Sequence, residues 1–153
     1  MCCNRERNRM ENFEEAADSR LEDWELLNKA HRKVGTIHCG GIYIECILKA
    51  MICQTYQVVQ GAKGNKWIID GQNADRPSHD LTGIHYRRWL GDMYDDMSQD
   101  VMDALEYITR PENEGYIDYR YFQETKVPEQ NYSKWMECFV MLFDFLQEKM
   151  REI

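Results

Sequence analysis

The stretch HCGGIYIECILKAMIC, residues 38–53, is the most apolar part of this 153-residue chain and decides its fold. At about 100° per residue its apolar side chains cover both sides of a helix, which is the pattern of a helix buried on all faces. Only His38, Glu45 and Lys49 interrupt the pattern, and they fall within about 40° of one another. The stretch therefore predicts a central core helix that carries one narrow polar stripe.

The cysteines and aspartates of the chain do not form a metal-binding pattern. Cys39, Cys46 and Cys53 recur every seven residues on one face of the predicted helix, so neighbouring thiols are about 10.5 Å apart along its axis. That separation is too long for a disulfide or a shared metal, and we interpret the three as packing residues. Residues 91–100 contain four aspartates but lack the residue order of a calcium loop. We therefore expect no metal and no cofactor.

Helical periodicity predicts an all-α fold, a bundle of four to five antiparallel helices. Residues 1–18 are polar and are expected to form a loose arm or a short surface helix, whereas residues 19–153 form a single bundle domain. Residues 57–78 carry three glycines and a proline and predict a long connection, which either hides a short strand or an extra turn at Trp67 to Ile69 or is a functional loop.

The helix boundaries follow from residues that cap or break helices. We expect the following: helix starts at Ser19, Ser78 and Ser98, a break between His31 and Gly35, helix ends near Tyr56, Leu90 and Pro111, and a last helix that opens at Asn131 or Ser133.

Net charge and hydropathy narrow the classes of function. A net charge of −8 disfavours a protein that binds nucleic acid mainly through its phosphates, although a local basic groove remains compatible with this charge. No apolar run approaches the ~18 residues of a membrane span, and the first residues lack the apolar region of a signal peptide. We therefore expect a soluble, cytoplasmic protein without a membrane partner.

Two short motifs carry a family resemblance. GGIYIECILKAMI, followed some thirty residues later by HDLTGI, resembles the HEPN-like helical domains of prokaryotes. An Arg-Tyr pair before the last helix, Arg120 and Tyr121, adds a weaker match, and the likeness spans roughly residues 19–151. The matching residues are Gly41, Glu45, Cys46, Leu48, Lys49, Ala50, His79, Asp80 and Leu81.

The resemblance implies two different activities. Some HEPN domains are metal-independent ribonucleases that place an Arg and a His, a few residues apart, at a dimer interface. Others lack that pair and bind nucleotides or partner proteins, often beside a nucleotidyltransferase. Arg32 and His38 have a suitable spacing, and such a pair supplies a base and a phosphate-binding cation. They precede the Glu-Cys helix, however, whereas the pair of the ribonucleases typically follows it.

The polar stripe leaves two interpretations open. Glu45 and Lys49 stand in the favourable order for a helical ion pair and would lock a buried helix. Alternatively, Lys49 contacts a phosphate in a cleft lined by His38, His79 and Asp80.

We therefore expect a non-catalytic HEPN-like interaction module, acting as a homodimer or beside a partner enzyme in a toxin–antitoxin or phage-defence system. The first alternative is an endoribonuclease that uses Arg32 and His38 on RNA. The second is a nucleotide-binding module built on Lys49, His79 and Arg120.

Overall fold

The computed structural model describes residues 10–63 and 66–153, which fold into a mostly helical structure with a small sheet. The described elements, in chain order, are α1 (Phe13–Lys29), α2 (Lys33–Thr55), β1 (Val58–Gln60), β2 (Lys66–Ile69), β3 (Gln72–Asp75), α3 (Ile84–Asp95), α4 (Gln99–Thr109) and α5 (Glu129–Glu152). Three short 3₁₀ segments, Pro111–Asn113, Tyr116–Tyr121 and Glu124–Lys126, connect α4 to α5.

Helix α2 is the centre of the structure, as the apolar stretch predicts. Every residue from 40 to 52 except Ile42 is buried. Helix α2 packs against α1, α3, α4, α5 and the 3₁₀ segment Tyr116–Tyr121, so apolar side chains on all of its faces meet a neighbour. The predicted break before α2 is confirmed at His31, whose φ of 54° lies in the left-handed region and ends the α1 segment.

The five described helices bear out the predicted helical bundle, and the fold adds a small sheet that the all-α prediction did not include. Of the alternatives left open for residues 57–78, the structure has the short strand at Trp67 to Ile69, as β2, which is the middle strand of an antiparallel sheet of order β1-β2-β3. Asp70 and Gly71, both with positive φ, form the tight turn between β2 and β3. Trp67 and Ile69 are fully buried, and the Trp67 ring lies 5.8 Å from the ring of Phe13 in α1.

Helix α1 begins earlier than the predicted cap at Ser19, which is therefore wrong. Asn12 is the N-cap, and its side chain accepts a hydrogen bond of 3.0 Å from the Glu15 backbone N–H. Glu14 and Glu15 in the first turn favour this start because their negative charges lie near the positive end of the helix dipole. Six residues of the predicted arm thus belong to α1, and residues 1–9 lie outside the described part.

The predicted start of α3 at Ser78 is also wrong, because α3 begins at Ile84 after Gly83. Tyrosine hydroxyls bind the carbonyls of the preceding segment: Tyr86 donates to Ser78 and Tyr94 donates to Leu81, both at 2.6 Å. Helix α3 continues to Asp95, but its backbone leaves helical geometry at Leu90, the predicted end.

The cap of α4 is confirmed, and that of α5 is not. The Ser98 hydroxyl accepts a hydrogen bond of 3.2 Å from the Val101 N–H, and Pro111 follows the end of α4. Helix α5 begins at Glu129, before the predicted Asn131 or Ser133, because Pro128 sets the φ of −60° that its N-cap adopts.

Length and composition alone would allow Lys33–Thr55 to cross a membrane, contrary to the expectation that no such run exists. Within the fold, however, 78% of its most apolar window is buried, as in the core helix of a globular domain. This is weak evidence for a membrane span.

Gly41→Ala should lower the free energy of unfolding by about 1–3 kcal/mol. A Cβ at this position would overlap the ring of Tyr116, which is 1% exposed and cannot move aside. Gly91→Ala is the control, because nothing lies within 4 Å of its Cβ position in α3. It should leave stability unchanged or raise it by up to about 1 kcal/mol. Equal stability of the two variants in urea unfolding would contradict the packing of Tyr116 on α2.

Candidate functional site

Glu45 lies in the middle of α2 and is 7% exposed. Its carboxylate accepts hydrogen bonds from three side chains that come from three parts of the chain. Lys49 Nζ lies 3.0 Å from Oε2, the Tyr116 hydroxyl lies 2.6 Å from Oε1, and His79 Nδ1 also contacts Oε1. We call these four residues the Glu45 network.

Lys49 is enclosed by the fold. Its side chain is 4% exposed, and Nζ lies 5.6 Å from the ring centroid of Phe13, which adds a cation–π contact to the pair with Glu45. Glu45 and Lys49 are four residues apart, so one turn of α2 presents both charges to the same side. Two of the three residues of the predicted polar stripe, Glu45 and Lys49, are therefore paired and buried, whereas His38 is half-buried and outside the pair.

His79 is the solvent-facing end of the network, with 57% of its side chain exposed. It lies in the segment between β3 and α3, and its ring meets the Tyr116 ring edge-on at a centroid distance of 6.0 Å. An ionised carboxylate can only accept hydrogen bonds, so Nδ1 carries the proton toward Glu45. The contact fixes the His79 ring against the buried carboxylate.

Burial and charge act in opposite directions on Glu45. Burial alone would raise the pKa of its carboxyl group, but the charge of Lys49 and the hydrogen bonds from Tyr116 and His79 outweigh it, so the pKa is lowered. The pKa of Tyr116 is raised well above its usual range by burial and by the adjacent Glu45 charge. Tyr116 is therefore a neutral donor to an ionised carboxylate.

Arg32 and His38 do not meet in the structure. Arg32 is the residue before α2 and is exposed, whereas His38 is half-buried one turn inside the helix. His38 Nδ1 lies 3.3 Å from the backbone carbonyl of Tyr116. Six residues of helix separate the two by about 9 Å along the axis and by about 120° around it.

Asp80 follows His79 in sequence but belongs to a different group. Its carboxylate bonds Arg110 at 3.2 Å and Thr82 at 3.1 Å, and its side chain is 54% exposed. Slight burial would raise its pKa, yet these hydrogen bonds and the Arg110 charge lower it. Asp80 therefore anchors the end of α4 to the turn before α3.

Arg120 and Tyr121 also lie outside the Glu45 network. Both are exposed, and the Arg120 guanidinium lies 4.7 Å from the Tyr121 ring centroid. The network instead includes Tyr116, five residues before Tyr121, which was not predicted from the sequence. A buried carboxylate needs more donors than one lysine, and the tyrosine-rich segment after α4 was the place to seek one.

The thiols on α2 fit a packing role. Burial raises the pKa of Cys46 and of Cys53 to about 11, which disfavours the reactive thiolate form. Cys39, Cys46, Cys53 and Cys138 are free, and Cys2 and Cys3 lie outside the described residues. In the chain from 10 to 63 and from 66 to 153, no group of three or more His, Cys, Asp or Glu is arranged to hold a metal ion.

The Glu45 network is separate from five surface cavities in the described part of the chain, none of which is lined by Glu45, Lys49, His79 or Tyr116. The geometry thus supports a lock that joins α2 to the segments before α3 and after α4.

Comparison with known proteins adds no relative: no family model, no curated protein and no solved structure matches this chain.

Glu45→Gln should destabilise the protein by about 3–5 kcal/mol, because it leaves the Lys49 charge buried without its partner. The matched control is Glu106→Gln on α4. Glu106 also pairs with a cation at i+4, Arg110 at 2.8 Å, but its side chain is 53% exposed. Its loss should cost less than about 1 kcal/mol. Urea unfolding of both variants measures the difference, and equal losses would contradict the lock.

The Glu45 network should also make stability depend on acid. The folded pKa of Glu45 lies below its ordinary value of 4.5, so its contribution is complete above that value and is lost as the pH falls through the folded pKa. Glu45→Gln should flatten this loss. Tyr116→Phe removes one hydrogen bond that lowers the pKa, so the folded pKa of Glu45 lies closer to the ordinary value, and the acid-dependent loss should be smaller and should end at a higher pH than in the wild type. Unfolding curves across the acid range test both, and an unchanged profile in Glu45→Gln would refute the assignment.

Proposed function

We propose that this chain is a non-catalytic HEPN-like helical module that acts by protein association. It would work as a homodimer or beside a partner enzyme such as a nucleotidyltransferase. The biological setting, a toxin–antitoxin or phage-defence system, is part of this proposal and comes from the motif resemblance alone. The observation that carries the proposal is the Glu45 network, in which the buried motif residues Glu45 and Lys49 are paired with each other.

The network argues for a structural role of the motif. Glu45 and Lys49 each have less than a tenth of the side chain exposed, and each is the other's ion-pair partner. Chemistry on a substrate needs a polar group that a substrate can reach. Glu45 and Lys49, the charged residues of the helical motif, instead help to hold three segments of the chain together.

The ribonuclease alternative is less well supported. A base and a cation act together only if both reach one phosphodiester. Arg32 is exposed at the start of α2, whereas the half-buried His38 is within reach of the Tyr116 carbonyl. Within one chain the two side chains therefore do not converge on a shared site.

The nucleotide-binding alternative has one favourable feature, the exposed Arg120 and Tyr121 pair. A guanidinium beside an open ring can contact a phosphate and stack a base. Lys49 is less suitable for this role than the sequence suggested, because Glu45 and the Phe13 ring occupy its ammonium group.

The test is an RNA cleavage assay with a chelator present, comparing the wild type with His38→Ala. We expect no cleavage above a protein-free control by either protein. His38→Ala should unfold at nearly the wild-type temperature, because the side chain is only half-buried. Cleavage by the wild type that disappears in His38→Ala would overturn the proposal in favour of the ribonuclease.

A thermal-shift series with ATP and other nucleotides examines the second alternative. We expect no rise in melting temperature. A rise that is lost in Arg120→Ala, an exposed position that should not affect folding, would replace association with nucleotide binding as the function.

A further inference from the structure

An open apolar groove lies between the end of α1 and α5. It has a volume of about 720 Å³, and we call it the α1–α5 groove. Its lining includes Asn28 of α1 and Tyr132, Met136, Glu137, Val140 and Met141 of α5.

The apolar wall of this groove belongs to α5. Val140 is 47% exposed and Met141 is 42% exposed, and the half-buried Met136 lies one turn before Val140. Neighbouring exposed apolar side chains are typical of contact surfaces, and methionine adapts its shape to a partner. Tyr132 also lines the groove, and its hydroxyl donates a hydrogen bond of 2.5 Å to Asn28 Oδ1.

A second groove adjoins the first along the other side of α5. It lies between α4 and α5, has a volume of about 570 Å³, and shares Glu137 and Met141 with the α1–α5 groove. We call it the α4–α5 groove. The two grooves are thus one continuous surface that crosses α5 at Met141.

The α4–α5 groove is strongly acidic. Its carboxylates outnumber its cations, and they are Asp100, Asp103, Glu106, Glu112 and Glu137, against Arg110 and Lys134. Arg110 already pairs with Asp80 and Glu106. Lys134 lies 4.3 Å from the Tyr107 ring centroid. Because the carboxylates outnumber the cations, the α4–α5 groove favours a cationic surface of a partner, whereas the α1–α5 groove favours an apolar one.

A second copy of this chain fits this surface poorly. The exposed stripe of α5 around Val140 carries Glu137, Asp144 and Glu148, so a copy would bring like charges against it. The net charge of −8 adds to that repulsion. Anionic lipid or nucleic acid meets the same obstacle.

We infer that the α1–α5 and α4–α5 grooves together bind a basic amphipathic helix of a partner protein. Its apolar side chains would enter the α1–α5 groove against Met136, Val140 and Met141, and its lysines or arginines would lie along the acidic α4–α5 groove. This inference rests on the proposed function, since it names the chemistry of the partner. It follows the common mode in which an amphipathic helix lays its apolar face into a groove.

Three synthetic helical peptides test the inference by fluorescence anisotropy on the full chain. One has Leu and Met on one face and Lys on the other, the second has Glu in place of Lys, and the third has the first composition in scrambled order. The basic amphipathic peptide should bind at least about tenfold more tightly than the other two. Equal binding of the acidic or the scrambled peptide would overturn the inference.

Variants assign the binding to the surface. Met141→Gln removes an apolar contact without adding charge and should weaken binding of the basic peptide by about tenfold, whereas Ile84→Gln, at a 73% exposed apolar residue on α3, should not change it. The double variant Asp103→Asn and Glu137→Gln should weaken binding several-fold and reduce its dependence on salt. Binding that is indifferent to Met141→Gln would refute the site.

Sedimentation separates the failure of this inference from the failure of the proposed function. A wild-type homodimer that dissociates in Val140→Glu would make the grooves a self-interface. That result would overturn the basic-helix inference and leave association as the function. RNA cleavage lost in His38→Ala would instead overturn the proposed function, whatever the peptides do.

Discussion

The structure depends on how one buried carboxylate, that of Glu45, is satisfied. Removing a charge from water costs several kcal/mol unless partners replace the solvent. Lys49, Tyr116 and His79 supply that replacement from α2, from the segment after α4 and from the segment before α3. If any of those segments moved away, the buried carboxylate would lose one of its hydrogen-bond donors. Glu45 therefore holds together elements that are far apart in sequence.

The helical part of the fold could be predicted because its signals are local. The apolar run around Glu45 marks α2, and Ser98 marks the start of α4. Some helix starts were predicted wrongly, either because tertiary contacts decide them or because a better capping residue lies nearby. Ser78 was a plausible cap, but the Tyr86 hydroxyl binds its carbonyl from eight residues away. The sheet was only partly predicted, although Asp70 followed by Gly71 is itself a hairpin signal.

In the candidate site, too, contacts within one helix could be predicted and contacts between distant segments could not. Helical spacing alone placed Glu45 and Lys49 together, and the structure has them as a pair. Spacing could not show that His79 joins them while Asp80 turns to Arg110, because that choice depends on a turn between β3 and α3. Nor could it identify Tyr116, since a donor in an irregular segment has no periodicity to reveal it. Long-range partners of a buried charge are a property of packing.

The adjacent glycines of α2 have a consequence for how the sequence can drift. Side chains from opposite parts of the fold fill the space that Gly40 and Gly41 leave: Trp135 of α5 lies over the first, and Tyr116 lies over the second. Enlarging either glycine therefore requires a smaller ring on its partner, more than seventy positions away in the chain. The paired positions 40 with 135 and 41 with 116 should vary inversely in size among descendants of this chain, as two independent couplings across one helix.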